Sequence, residues 1–194
     1  MEQAKLLNEI AAVQAGAELL HPPSAVRAAV DRMASVVRER LAARNPLLLC
    51  VMTGGVMTTT WLAERLDFPL QIDYVHLTRY DGDTSGSNEP KWLAKPRFAL
   101  AGRHVLLVDD IYDEGVTLRR LIDYCRSQGA ADVASAVLVR KRHDRNRGGI
   151  EPDIVGLEVD DRYVFGCGLD YKNYLRNLPA IYAVTETTET GNDS

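Results

Sequence analysis

The chain has 194 residues, 46% hydrophobic and 26% charged, enough for one domain with a substantial core. A net charge of −4 argues against a nucleic-acid surface, which needs clustered excess base, and no apolar stretch approaches the length of a membrane span. The opening MEQAKLLNEI lacks the pattern of a secretory signal, and Cys50, Cys125 and Cys167 form no CxxC pair, so buried free thiols in a reducing cytoplasm are expected.

Two helical patterns come first, over about 3–16 and 24–43. In the second, Ser24 is placed to cap the start, and Val26, Val30, Met33, Val37 and Leu41 recur at helical spacing until Asn45-Pro46 stops it. Leu47 to Met52 reads as a short buried strand, followed by the turn Thr53-Gly54-Gly55 and a helix to about Leu66. A strand follows from Leu70 to Leu77. Residues 78–96 are rich in Gly, Ser, Asn, Asp and Pro and read as a long loop anchored by Trp92. A strand at 104–109 leads into a helix at about 116–128, ended by Gly129. Val133 to Val139 is another apolar strand, running into Arg140-Lys141-Arg142-His143; Ile154 to Val159 and Tyr163 to Gly166 read as two more. The closing TETTETGNDS is polar and expected to be disordered. Strand–helix alternation implies an α/β fold, a parallel sheet with helices on both faces and ligands at the carboxyl ends of its strands.

The stretch from Val105 to Leu118, VLLVDDIYDEGVTL, is the most informative. A buried strand delivers Asp109 and Asp110, a third acid follows at Asp113, and Gly115 and Thr117 open a helix. Free amides at a helix start suit a phosphate, and the carboxylates suit ribose hydroxyls or a bound cation. A solvated acidic turn is the plainer alternative, but paired acids at the end of a buried strand are unusual. Without GxxxxGK[ST] the segment is no Walker A loop. His21, His76, His104 and His143 show no ligand spacing; they read as structural or exposed, and no zinc site is expected.

This pattern resembles the phosphoribosyl-diphosphate (PRPP) signature of type I phosphoribosyltransferases. Further segments resemble the hypoxanthine-guanine branch: CVMTGGVM at 50–57, the loop ending in Lys91-Trp92, LVRK at 138–141, and DIVGLEVDDRYVFGCGLDYKNYLRN at 153–177. Together they span about 45–182 in family order. The resemblance implies a single domain over 1–182, with a helical region at 1–44, a PRPP-binding core at 45–140 and a base-recognition region at 141–182. A small hood would be built from the N- and C-terminal segments, and 183–194 would be a disordered tail.

It further implies that Asp109 and Asp110 hold the ribose hydroxyls and help position Mg²⁺, with Asp170 a direct ligand. The amides of 113–117, including those of Glu114, Gly115 and Val116, and the Thr117 hydroxyl would cradle the 5′-phosphate. Asp113 would exchange a proton with N7 of the purine, a role open to a carboxylate beside a phosphate-binding turn. Glu114 departs from the Thr of many relatives, and its side chain is expected to point away from the phosphate. Thr53 and Gly54 would bind diphosphate together with Arg176; a Lys commonly precedes the glycines, and Thr53 removes that cation. A cis peptide is implied between Met52 and Thr53. Lys141, rather than Arg140 or Arg142, would donate to the 6-oxo group, Tyr163 would stack on the base, and the backbone of Val164 would read its edge. Arg79 and Tyr80 would lie on a closing lid, Tyr80 being the better candidate.

The implied activity is Mg²⁺-dependent purine salvage, joining hypoxanthine or guanine to the phosphoribosyl group of PRPP. The implied substrates are PRPP and a 6-oxopurine, with neither nucleic acid nor membrane as partner, and the implied assembly is a homodimer or homotetramer. Two rivals stand beside it. One is a PRPP enzyme for xanthine or a pyrimidine; the other is a non-catalytic nucleotide sensor, disfavoured because Asp113 and Asp170 are present.

Overall fold

In the computed structural model, residues 1–77 and 91–185 are described. In chain order they form α1 (Glu2–Gly16), β1 (Glu18–His21), α2 (Pro23–Leu41), β2 (Leu47–Val51), α3 (Gly55–Ala63), β3 (Gln71–Leu77) and β4 (Trp92–Ala94). Then come β5 (His104–Tyr112), α4 (Val116–Ser127), β6 (Asp132–Arg142), β7 (Ile154–Asp160), β8 (Val164–Phe165) and β9 (Ile181–Ala183).

The apolar runs build a six-stranded sheet in the order β4-β3-β2-β5-β6-β7, parallel except for the edge pair β3–β4. Alternation along each strand divides its side chains between two cores. Leu47, Leu49, Val51, Val105 and Leu107 meet Leu118, Leu121, Ile122 and Cys125 of α4. Leu48, Leu106, Val108, Ala136 and Leu138 meet Val26, Val30, Met33 and Val37 of α2 and Leu62 of α3. Helices therefore cover both faces, as continuous hydrophobic strands require. The carboxyl ends of β2, β5 and β6 point the same way, toward the acidic turn after β5.

A second, antiparallel sheet in the order β1-β9-β8 forms the small hood. Neither β1 nor β9 is legible as a strand in the sequence. Each has only three or four residues, and β1 carries two exposed ones, Glu18 and Leu19.

Several boundaries differ from expectation. Ser24 does not cap α2; the helix begins one residue earlier, at Pro23, with Pro22 at the cap position and no side-chain cap bond. Proline suits that first position because its missing N–H has no partner there anyway. Trp92–Ala94 is an edge strand rather than loop, and Trp92 packs 4.5 Å from the ring of Tyr124 on α4. Residues 78–90 of the expected lid, with Arg79 and Tyr80, lie outside the described residues. Tyr163 precedes β8 instead of opening it. Residues 183–185, expected to belong to a disordered tail, are tied to the hood: Ala183 pairs with Glu18 and Val164, the Val184 amide donates to the Tyr163 carbonyl, and the Thr185 hydroxyl donates to the Gly16 carbonyl. Residues 186–194 lie outside the described residues. Among the described residues no helix is long and apolar enough to cross a membrane.

Candidate active site

Strand β5 carries its apolar run to Asp109 and Asp110 and ends at Tyr112, so the acids emerge at the carboxyl edge of the sheet. The chain then turns through Asp113 and Glu114 into Gly115, which precedes α4 at φ 77. That left-handed conformation favours glycine, and a Cβ there would also meet the Tyr112 hydroxyl at 2.9 Å. The first amides of α4 face out of the turn with no partner within the helix. Around this turn lies a cavity of about 920 Å³. Its lining includes Thr53 and Gly54 after β2, Asp109 to Thr117 from the end of β5 to the start of α4, Lys141 at the end of β6, Tyr163 and Val164 at the hood, and Asp170 and Arg176 beyond it. Every expected site residue outside the lid is therefore brought to one cleft.

Asp109 and Asp110 are not equivalent. The Asp110 backbone N–H donates to Asp109 Oδ1 at 2.9 Å. The Asp110 carboxylate turns inward: a Cβ on Gly54 would sit 1.9 Å from its Oδ2, and Arg176 Nη1 is 3.8 Å from the same oxygen. Burial pushes the Asp110 carboxyl up, opposed by its hydrogen bond with Asp109 and the charge of Arg176. Arg176 also binds Asp170 Oδ1 at 2.8 Å and donates to the Gly168 carbonyl at 2.6 Å, so one guanidinium ties Asp110 to Asp170. The Met52–Thr53 peptide is cis.

The donor set suits a hard divalent cation. Three carboxylates, Asp109, Asp110 and Asp170, line the same cleft. Carboxylate oxygens are hard ligands of the kind such cations take, together with substrate and water oxygens.

Among the described residues, the one tight trio of potential metal ligands is Asp113, His143 and Asp161. Cations of the protein already neutralise it. Lys141 Nζ lies 3.3 Å from Asp113 Oδ2 and 3.7 Å from Asp161 Oδ1, and Arg145 binds Asp161 Oδ2 at 2.6 Å. His143 Nε2 is 2.6 Å from Asp113 Oδ1. Burial works to raise the Asp113 carboxyl, but the His143 hydrogen bond and the Lys141 ammonium outweigh it and leave it below the usual range.

Alternation at the end of β6 explains why Lys141, and not Arg140 or Arg142, faces the cleft. Arg140 pairs with Glu158 and Glu151, and Arg142 with Asp160, across the other side of the strand. Glu114 pairs with Arg147 at 3.3 Å and Arg145 at 3.6 Å, so its charge is matched by two guanidiniums from the segment after β6. Tyr163 is 48% exposed and meets Tyr171 edge-on at 5.5 Å, which leaves its ring available to a flat ligand.

His143, expected to be structural or exposed, is instead bonded to Asp113, its side chain only 8% exposed. Arg145, Asp161 and Arg147 are also new to the site. His143 lies in the bend just past the last residue of β6, so strand periodicity does not reach it. The other three also come from loops, where spacing carries no such information.

The chain matches the phosphoribosyl transferase domain over residues 17–172. It is 31% identical over 173 residues to the hypoxanthine-guanine-xanthine phosphoribosyltransferase of Tritrichomonas foetus, covering 89% of this chain and 93% of that protein. It is 31% identical over 169 residues to the hypoxanthine-guanine phosphoribosyltransferase of Pan troglodytes, covering 81% of this chain and 76% of that one. A solved hypoxanthine-guanine-xanthine phosphoribosyltransferase structure superposes with a TM-score of 0.76 at 28% identity, over 89% of this chain and 97% of its own. The fold, the acid-tipped turn after β5 and these likenesses agree: the chain belongs to the phosphoribosyl transferase domain family, in its hypoxanthine-guanine branch.

Proposed function

We propose that the protein is a Mg²⁺-dependent purine-salvage enzyme that transfers the 5-phosphoribosyl group of PRPP to N9 of hypoxanthine or guanine. The products are IMP or GMP and diphosphate. The observation that carries this assignment is the single cleft gathering a turn at a helix start, three carboxylates and a Lys–Asp pair.

In this reading the 5′-phosphate sits on the amides of 113–117 with the Thr117 hydroxyl. Asp109, Asp110 and Asp170 would hold Mg²⁺, directly or through water; when bound it supplies charge neutralisation for the departing diphosphate. Thr53, Gly54 and Arg176 hold the diphosphate end, the guanidinium by forked hydrogen bonds. Tyr163 stacks on the purine, the backbone of Val164 meets its edge, and Lys141 donates to the 6-oxo oxygen. N9 forms its bond to C1′ as the C1′–diphosphate bond breaks, and Asp113 takes the proton released from N7. The residues thus act by positioning and by meeting charge as it develops. Three buried free cysteines support a reducing compartment, the cytoplasm.

The test is a product assay with PRPP, Mg²⁺ and each of hypoxanthine, guanine, xanthine, adenine and uracil. Nucleoside monophosphate and diphosphate should appear with the 6-oxopurines. Xanthine belongs in the panel because the Tritrichomonas foetus relative is named for it. Turnover with uracil and with no 6-oxopurine would sink the assignment.

A further inference from the structure

We infer that His143 is a positioning residue for the proton-accepting carboxylate: its Nε2–H holds Asp113 Oδ1 and leaves Oδ2 as the oxygen presented to N7 of the purine. The inference rests on the reading of Asp113 as the base.

The hydrogen-bond pattern fixes the state of the ring. The backbone N–H of Arg145 lies 3.0 Å from His143 Nδ1. A backbone amide can only donate, so Nδ1 is the bare, accepting nitrogen, and the single hydrogen of the neutral imidazole is on Nε2. That hydrogen points at Asp113 Oδ1 across 2.6 Å. The ring is therefore a fixed donor. It cannot serve as a relay, because a proton passed through it would have to leave from Nδ1, where the Arg145 amide already points.

The surroundings explain why such a donor is useful. Asp113 stands on the short turn between β5 and α4, where a carboxylate could otherwise rotate and exchange its two oxygens. Oδ2 faces Lys141 at 3.3 Å; Oδ1 faces His143 at 2.6 Å and Arg145 at 3.8 Å, the last beyond hydrogen-bond reach. Asp161 completes the set by binding Lys141 and Arg145 from the other side, at 3.7 and 2.6 Å. Lys141 is committed to the 6-oxo group of the base. His143 is thus the group that sets which oxygen of Asp113 is presented while Lys141 attends to the substrate.

Three substitutions separate this role from a merely structural one. His143→Leu removes the donor, His143→Asn keeps an amide too short to reach Oδ1, and His143→Gln restores an N–H at the distance of Nε2 without an ionisable ring. The first two should lower kcat about tenfold or more, the effect of losing a hydrogen bond to a charged group. Both should leave KM for PRPP within about twofold and move the acid limb of kcat/KM upward, because Asp113 loses the donor that favours its charged form. His143→Gln should recover most of the rate and the wild-type limb. In an Asp113→Asn background, His143→Leu should lower kcat no further.

Wild-type kcat and pH profile in both His143→Leu and His143→Asn would overturn the inference. So would a His143→Gln enzyme as impaired as those two, or losses that simply add in the double variant. The two readings fail differently: wild-type turnover in Asp113→Asn removes the base assignment itself, whereas an inactive Asp113→Asn beside a fully active His143→Asn removes only the role of His143.

Discussion

Lys141 stands between Asp113 and Asp161, 3.3 and 3.7 Å from their oxygens, with its side chain only 16% exposed. Removing it takes away the proposed donor to the 6-oxo group and leaves two carboxylates facing each other. Lys141→Ala should raise KM for the purine about tenfold or more while KM for PRPP changes little. A normal purine KM would move that role to another residue. The carboxyl of Asp113 gives a prediction with a definite sign. Its folded-state value is lowered, so its contribution to stability is present above the unfolded value and lost as pH falls through the folded one. As a base it stays competent over the same range, and kcat should remain flat as pH falls to roughly 5, above the ordinary aspartate value. An inflection near neutrality that vanishes in Asp113→Asn would contradict this. At this scale the resemblance singles out Lys141 over Arg140 and Arg142, and strand alternation supplies the physical reason, since Arg140 and Arg142 pair with Glu158 and Asp160 of β7. The sequence was silent about His143, Asp161, Arg145 and Arg147, which lie outside the strands.

The turn between β5 and α4 concentrates the demands on local backbone. Gly115→Ala would place a side chain at φ 77 and 2.9 Å from the Tyr112 hydroxyl. A cost of about 1–2 kcal/mol in stability is expected for the left-handed residue, with a raised KM for PRPP as the phosphate turn shifts. Thermal melts and PRPP saturation curves check both; an unchanged KM would mean that this turn is not the phosphate cradle. On β3, buried Asp73 accepts the amides of Arg97 and Phe98 at 2.7 and 2.9 Å from Oδ2, and that of Tyr74 at 2.9 Å from Oδ1. It therefore fixes the chain where it returns from β4 to the core. Asp73→Ala would leave three part-buried amides without their acceptor and should cost about 1–3 kcal/mol, read as a fall in Tm. Long elements were the most legible ones, because α2, α4, β5 and β6 carry many turns or pleats of one period. The short strands β1, β4 and β9 exist through tertiary pairing, and three or four residues hold too little pattern to announce them, whereas β8 falls inside the expected strand from Tyr163 to Gly166.

At the scale of the molecule, the parallel order of β3-β2-β5-β6-β7 brings Thr53, Gly54, the acidic turn and Lys141 to one edge, where the hood and the segment after it add Tyr163, Val164, Asp170 and Arg176. The sheet's share of that convergence followed from strand–helix alternation, and the hood from the resemblance; which strands pair within the hood was not foreseeable, since they come from segments far apart in the chain. The outer strands β3 and β4 carry exposed Ile72, Tyr74 and Leu93. Apolar side chains grouped at a sheet margin suit burial against another copy, and sedimentation equilibrium should find a dimer or tetramer. A monomer at micromolar concentration would refute that assembly.

The position of β9 has its own outcome for shortening the protein. It lies between β1 and β8, so deleting residues from Ile181 onward would not trim a margin. It would split a ribbon down its middle, exposing the unmatched amides of Glu18–His21 on one side and of Val164–Phe165 on the other. Cutting after Thr185 spares the whole ribbon. Two truncations only a few residues apart should therefore behave as different proteins, the longer one soluble and active and the shorter one prone to clumping.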